Sequence, residues 1–171
     1  MDRASLDRAL VFVPCSTGQA RALWQGESLA AVQAFTVNPQ LLAGLDGVHD
    51  TEDAEHACAQ LASLWGLARH GERLVLVAQV AAGSLGGSDD PESHNPEAHN
   101  GGVELGALTR RQVSSFFTDD PANPDPERIA PLVKGLDVDA CWELGEVQQL
   151  LRTADLLWHS VEELAVLGED V

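Results

Sequence analysis

The sequence predicts an α/β (α+β) domain: a single mixed β-sheet of about six strands packed with helices, in a ferredoxin-like or related arrangement. Three observations carry this. Short runs such as "LVFVP" at 10–14 and "RLVLVAQV" at 73–80 have strand length and are apolar at nearly every position, so they need cover. Between them lie stretches whose apolar residues recur at helical spacing, above all Ala54, Cys58, Leu61, Trp65 and Ala68, with Ala57 and Leu64 widening the face. A chain of 171 residues has the length of one domain, 1–171, and folding buries roughly two-thirds of the surface its unfolded form exposes.

The elements follow in order. "LVFVP" is a buried strand, and "GQARALWQ" after it is a short helix or turn, because Ala20, Leu23 and Trp24 recur at helical spacing. "AVQAFTV" alternates as a second strand and ends at Asn38, a helix cap followed by Pro39 at the first helical position of "QLLAGL". The clearest helix comes next. Asp50 or Thr51 can cap it, Glu52, Asp53 and Glu55 suit its positive end, Arg69 and His70 suit its negative end, and Gly71 can close it in the left-handed conformation. "RLVLVAQV" then reads as a central strand covered on both faces.

Residues 81–102, "AAGSLGGSDDPESHNPEAHNGG", have almost no large apolar side chain to offset the entropy of ordering, and are expected to form a mobile loop. "VELGAL" and "VSSFFT" resume the sheet on either side of the polar "TRRQ". "DDPANPDPER" is a turn segment. Ile129, Leu132 and Val133 mark a helix, with Pro131 limiting where it can start, and "LGEVQQLLRTA" reads as another. "LLWHS" closes the sheet, and Ser160 with Glu163 fits a capping box that opens a last short helix.

Charge and cysteine usage narrow the function classes. Twenty-seven acidic against ten basic residues give a formal net charge of −17. Bare nucleic acid is therefore an unsuitable ligand, since phosphate backbones are held by clustered Lys and Arg and here only Arg110 and Arg111 adjoin. Anionic membrane is disfavoured likewise, and no apolar run approaches the roughly 18 residues of a membrane span. An acidic mimic of nucleic acid, occupying a basic groove on another protein, is one reading of the charge. The other is a solvated acidic surface that keeps the chain soluble, as the scatter of acids along the chain favours. Cys15, Cys58 and Cys141 are odd in number and widely spaced, so three reduced thiols and a cytoplasmic setting are expected. The N-terminus mixes acids with arginines and lacks a small-residue cleavage site, so it does not read as a signal peptide.

Three constellations invite chemistry. "CSTGQAR" has the form Cys15-x-x-Gly18-x-x-Arg21, the core signature of cysteine-dependent phosphatases. In such a loop the amides turn toward phosphate, the thiolate attacks phosphorus and the arginine holds equatorial oxygens in a bidentate pair. Pro14 and Ala22 stand where these enzymes carry histidine and a hydroxyl residue, and no general acid is identifiable. The structural alternative makes Cys15 a small strand-end residue and Arg21 a surface charge. His94 and His99, near Glu92 and Glu97, are candidate metal ligands, against the ordinary reading of solvent-facing histidines in a loop; no metal and no other cofactor is expected. Trp158 reads as a core anchor, and His159, alternating with it, should face the other way, where Glu162 or Glu163 could pair with it.

"VFVP", "AFTVNPQL", "LVLVAQV", "VSSFFTDD" and, most specifically, "LLWHSVEEL" occur in an order that resembles an α/β family of unknown function found mainly in actinobacteria. The resemblance covers nearly the whole chain. Residues 81–102 and 135–153 look longer than the family pattern. The family brings no assigned activity, so the resemblance implies no catalytic residue. The expectation from the sequence is a non-catalytic binding or interaction module that takes a protein partner or a small ligand, with the cysteine phosphatase as the alternative.

Overall fold

The computed structural model describes residues 8–45, 50–86 and 95–167. Seven strands form one sheet: β1 (Arg8–Pro14), β2 (Leu29–Phe35), β3 (Val75–Ala81), β4 (Leu85–Gly86), β5 (Gly102–Leu108), β6 (Val113–Thr118) and β7 (Leu157–Ser160), in the order β4-β5-β2-β1-β3-β6-β7. The helices are α1 (Thr17–Trp24), α2 (Pro39–Gly44), α3 (Thr51–His70), α4 (Asp125–Val133), α5 (Val138–Trp142) and α6 (Gly145–Thr153). The α+β class is as expected. The sheet, however, is antiparallel throughout rather than mixed. The cause at the first connection is length: eight residues of helix rise about 12 Å, too little to carry the chain back along the seven residues of β1 for a parallel return. The order also does not confirm a ferredoxin-like arrangement, since a split βαβ unit leaves a strand between those flanking its helix, and β1 and β2 are direct neighbours.

Local signals set most boundaries. Asn38 accepts a hydrogen bond from the Leu41 amide at 2.8 Å with Pro39 opening α2, Asp50 accepts one from the Asp53 amide at 2.8 Å, and Gly71 closes α3 at φ 77°. The Ser160–Glu163 capping box forms and starts a 3-10 turn, Val161–Val166. One expectation is corrected. Helix α4 begins six residues before Pro131, with Pro126 at its first turn, and Pro131 lies inside it with its ring exposed to solvent. Within 81–102 the described residues are structured: a 3-10 turn (Ala82–Ser84), β4, and a second 3-10 turn (Ala98–Asn100) lead into β5. Polar contacts, not apolar area, order the second of these, while 87–94, with His94 and Glu92, lie outside the described residues.

Alternation along the strands gives the sheet two buried faces. Phe12, Phe35, Val75 and Val77 point to one face, where they meet Cys58, Leu61 and Leu64 of α3 and the buried residues of α4, α5 and α6. Val11, Val13, Leu76, Ala78, Leu105 and Phe116 point to the other, which is filled by Ala20 and Leu23 of α1 and Leu164 of the last turn. This second face is concave. From β5 to β6 lie four strand spacings, about 19 Å if flat, whereas the five Cα steps from Leu108 to Val113 reach at most about 18 Å fully extended. The connection contains a 3-10 turn (Arg110–Gln112), which is shorter still, so the sheet must curl to bring the two strand ends together.

Candidate functional site

The helices on the convex face do not cover all of it. Toward the β7 edge a cleft of about 310 Å³ opens between the N-terminal half of α3 and the segment joining α6 to β7. Its floor is the outer face of the sheet, where Leu10, Phe12, Val77 and Phe117 present apolar surface. Val75, Phe117 and Trp158 stand in one cross-strand row of β3, β6 and β7, and Trp158 extends the floor to the edge strand. One wall carries Glu52, Glu55 and His56 of α3, and the opposite wall carries Asp155 and Leu156.

Arg73 closes the end of this cleft. It is 2% exposed, yet charged, and is compensated by Asp119 and the backbone: Nε donates to Asp119 Oδ2 at 2.9 Å, one terminal guanidinium nitrogen pairs with Asp119 Oδ1, and it also donates to the Ala154 carbonyl at 3.1 Å. These bonds tie together the entry to β3, the exit of β6 and the end of α6. In the sequence Arg73 reads only as the polar first letter of an apolar strand. Its partner lies 46 residues away, which no local pattern signals.

Trp158 corrects the expectation of a core anchor: it is 62% exposed. An aromatic residue in an apolar run normally gains cover from strands on both sides, but β7 is an edge strand with β6 as its one neighbour. His159 faces the opposite side, as alternation requires. There its ring stacks on Phe116 at 4.9 Å, and its nitrogens lie 2.8 Å from Thr118 Oγ1 and 3.4 Å from Glu163 Oε1. The Ser160 amide and then His159 hold the Glu163 carboxyl below the usual carboxylate range. Of the two acids open as partners, Glu162 and Glu163, it is Glu163 that meets His159; the pair braces the last turn and is not part of the cleft.

The Cys15-x-x-Gly18-x-x-Arg21 stretch forms the capped start of α1. The Cys15 amide donates to the Leu74 carbonyl, the Ser16 amide to Gln19 Oε1, the Gln19 amide to Ser16 Oγ, and the Ala20 amide to the Ser16 carbonyl. The amides of Ser16, Gln19 and Ala20 are thus engaged within the capped helix start. Cys15 is 1% exposed among core residues, and burial, with Glu72 adding to it, pushes its thiol up out of the ordinary range. Arg21 is exposed on the outer side of α1. The geometry lends no argument to nucleophilic catalysis there.

His99 pairs with Asp139, and Asn100 donates to Asp139 at 3.2 Å and to Glu97 at 3.0 Å. The buried Glu97 also accepts from the Val138 amide at 3.1 Å, so this cluster fastens the approach to β5 onto α5. Among the described residues no group of three His, Cys, Asp or Glu side chains is placed to hold a metal ion. Nor is any described helix long and apolar enough to cross a membrane. Arg110, the adjacent cation noted in the sequence, lies over Trp24 at 3.6 Å from the ring centroid and donates to the Trp24 carbonyl at 2.8 Å.

Comparison with known proteins places these features in one context. The model of a family described as "Family of unknown function (DUF6912)" matches residues 9–167. No curated protein and no solved structure matches the chain.

Proposed function

The chain belongs to this family of unknown function, and from its structure we propose that it is a non-catalytic binding module of the cytoplasm whose site is the cleft beside Trp158. One observation carries the reading: an apolar floor from three strands ends in a tryptophan left 62% exposed, beside polar walls from α3 and the α6–β7 segment. Concave, mostly apolar sites with a few polar groups at the rim are the usual form of a small-ligand site, and about 310 Å³ falls at the small end of their range. The non-catalytic part rests on chemistry. Cys15 lies away from the cleft with its thiol buried, and Arg73, which lines the cleft, is occupied by Asp119. Three free, buried cysteines agree with a reducing compartment.

Trp158→Ala tests the site, because removing an exposed side chain leaves the fold intact. In a screen of small aromatic probes followed by amide chemical shifts, the wild-type shifts should cluster on Ala59, Val77 and Phe117. The variant should lose at least about tenfold in affinity for every hit, the order expected when one aromatic anchor is removed. Shifts clustering instead at residues 15–21, or aryl-phosphate turnover that disappears on Cys15→Ser, would overturn this reading in favour of the phosphatase.

A further inference from the structure

The charge pattern of the cleft narrows what it can take. Three carboxylates line it, Glu52 and Glu55 on α3 and Asp155 on the facing wall, so negative charge stands on both sides of the apolar floor. His56 lies beside them, exposed. Among the described residues the one guanidinium lining the cleft is already neutralised: Arg73 is spent on Asp119 and the Ala154 carbonyl. An anionic ligand would face three carboxylates, and it would do so on a chain of net charge −17. A bare divalent cation finds no group of three suitable ligands among the described residues. A cation with a flat apolar body satisfies both halves of the site. Its body would lie on Phe12, Val77 and Phe117, its positive head would turn to the rim carboxylates, and the exposed face of Trp158 attracts a cation through its ring quadrupole.

Resting on the reading of the cleft as a binding site, we propose that its ligand class is the small organic monocation: an aryl-alkyl amine or a compound of the same charge and shape. The volume fits one ring with a short chain, and the walls supply charge without enclosing the head, so an ammonium group keeps part of its hydration.

A charge series on one carbon frame tests it, using the full chain near neutral pH and low salt: 2-phenylethylamine as the cation, 2-phenylethanol as the neutral probe and 3-phenylpropionate as the anion, each followed by amide and indole chemical shifts. The amine should bind about tenfold more tightly than the alcohol, with shifts at Val77, Phe117 and the Trp158 indole, and the anion should bind more weakly than either. Replacing both acids, Glu52→Gln with Glu55→Gln, should bring amine and alcohol to within about threefold of each other, as should about 0.5 M salt. Trp158→Ala should weaken both. If the alcohol or the anion matches the amine in the wild-type protein, the charge inference fails while the binding site stands. If no member of the series moves cleft resonances up to millimolar concentration, both readings fail.

Discussion

Cys15 and Ala31 show how single residues are governed by what surrounds them. Cys15 follows β1 directly, with both its amide and its thiol turned into the protein, so the reactive thiolate is disfavoured first by loss of hydration and then by Glu72. Cys58, on α3, is raised for the same first reason, with Glu55 as the second. The native protein should therefore resist alkylation by iodoacetamide near neutral pH at both positions, and all three cysteines should label once denaturant is added; rapid labelling of Cys15 in the folded protein, detected by mass spectrometry, would contradict the burial. Ala31 adopts φ 51°, a left-handed conformation that a side chain disfavours, at an exposed point of β2 where the strand runs past the end of β1. The β2–β5 register passes from Ala30–Ala107 to Val32–Leu105, and a Cβ on Gly106, opposite Ala31, would meet no atom within 4 Å, so the irregularity falls where both strands have room.

The approach to β5 is the element on which polar order depends most. Gly101 adopts φ 86°, its carbonyl accepts the Thr36 amide at 2.8 Å, and a Cβ there would collide with the Thr36 carbonyl oxygen. Gly102 follows so close to Glu97 that a Cβ would lie 2.6 Å from the Glu97 Cβ. Only glycine lets the chain turn this tightly against the end of β2. Gly101→Ala should cost about 2 kcal/mol or more, combining the left-handed penalty with displacement of the Thr36 carbonyl. Urea unfolding measures it, and a midpoint unchanged from the wild type would show that the turn can relax. Helix α3 is tied to the sheet by a similar close approach, because a Cβ on Gly66 would sit 3.1 Å from the Glu72 carbonyl oxygen and 3.2 Å from Pro14 Cβ.

At the scale of the whole molecule, two cores share one curled sheet, and the surface around them carries an excess of 17 negative charges. Self-repulsion among these charges acts against the compact state, and exposed charges are screened once the Debye length falls to about 10 Å near 0.1 M salt. Raising sodium chloride from a few millimolar to about 0.5 M should lift the melting temperature by a few degrees, the shift that about 1 kcal/mol produces in a domain of this size. A melting temperature that falls with salt would mean that favourable pairs between exposed charges, such as Arg128 with Asp125, outweigh the repulsion.

The sequence by itself determined the features written in neighbouring residues. Period-two and continuous apolar runs marked β1, β3 and β6, helical spacing marked α3, and Asn38, Asp50, Gly71 and the Ser160–Glu163 box fixed ends, because capping and periodicity act over three or four residues. Tertiary structure alone decided strand order, the antiparallel sense of the sheet and its curl, since pairings such as Leu29 with Leu108 join residues whose spacing carries no periodic signal. It also decided the cleft. The floor draws on β1, β3, β6 and β7 and the walls on α3 and the segment after α6, so the cleft joins stretches near residues 10–12, 52–60, 73–77, 115–117 and 154–158. Trp158 belongs to the surface rather than the core only because β7 falls at the edge of the sheet, and Arg73 is tolerable in the interior only because the fold delivers Asp119 and the Ala154 carbonyl to it. The physical reason is common to both: burial and charge compensation are properties of neighbours in space, and an apolar or charged letter in the sequence does not say which neighbours it will have.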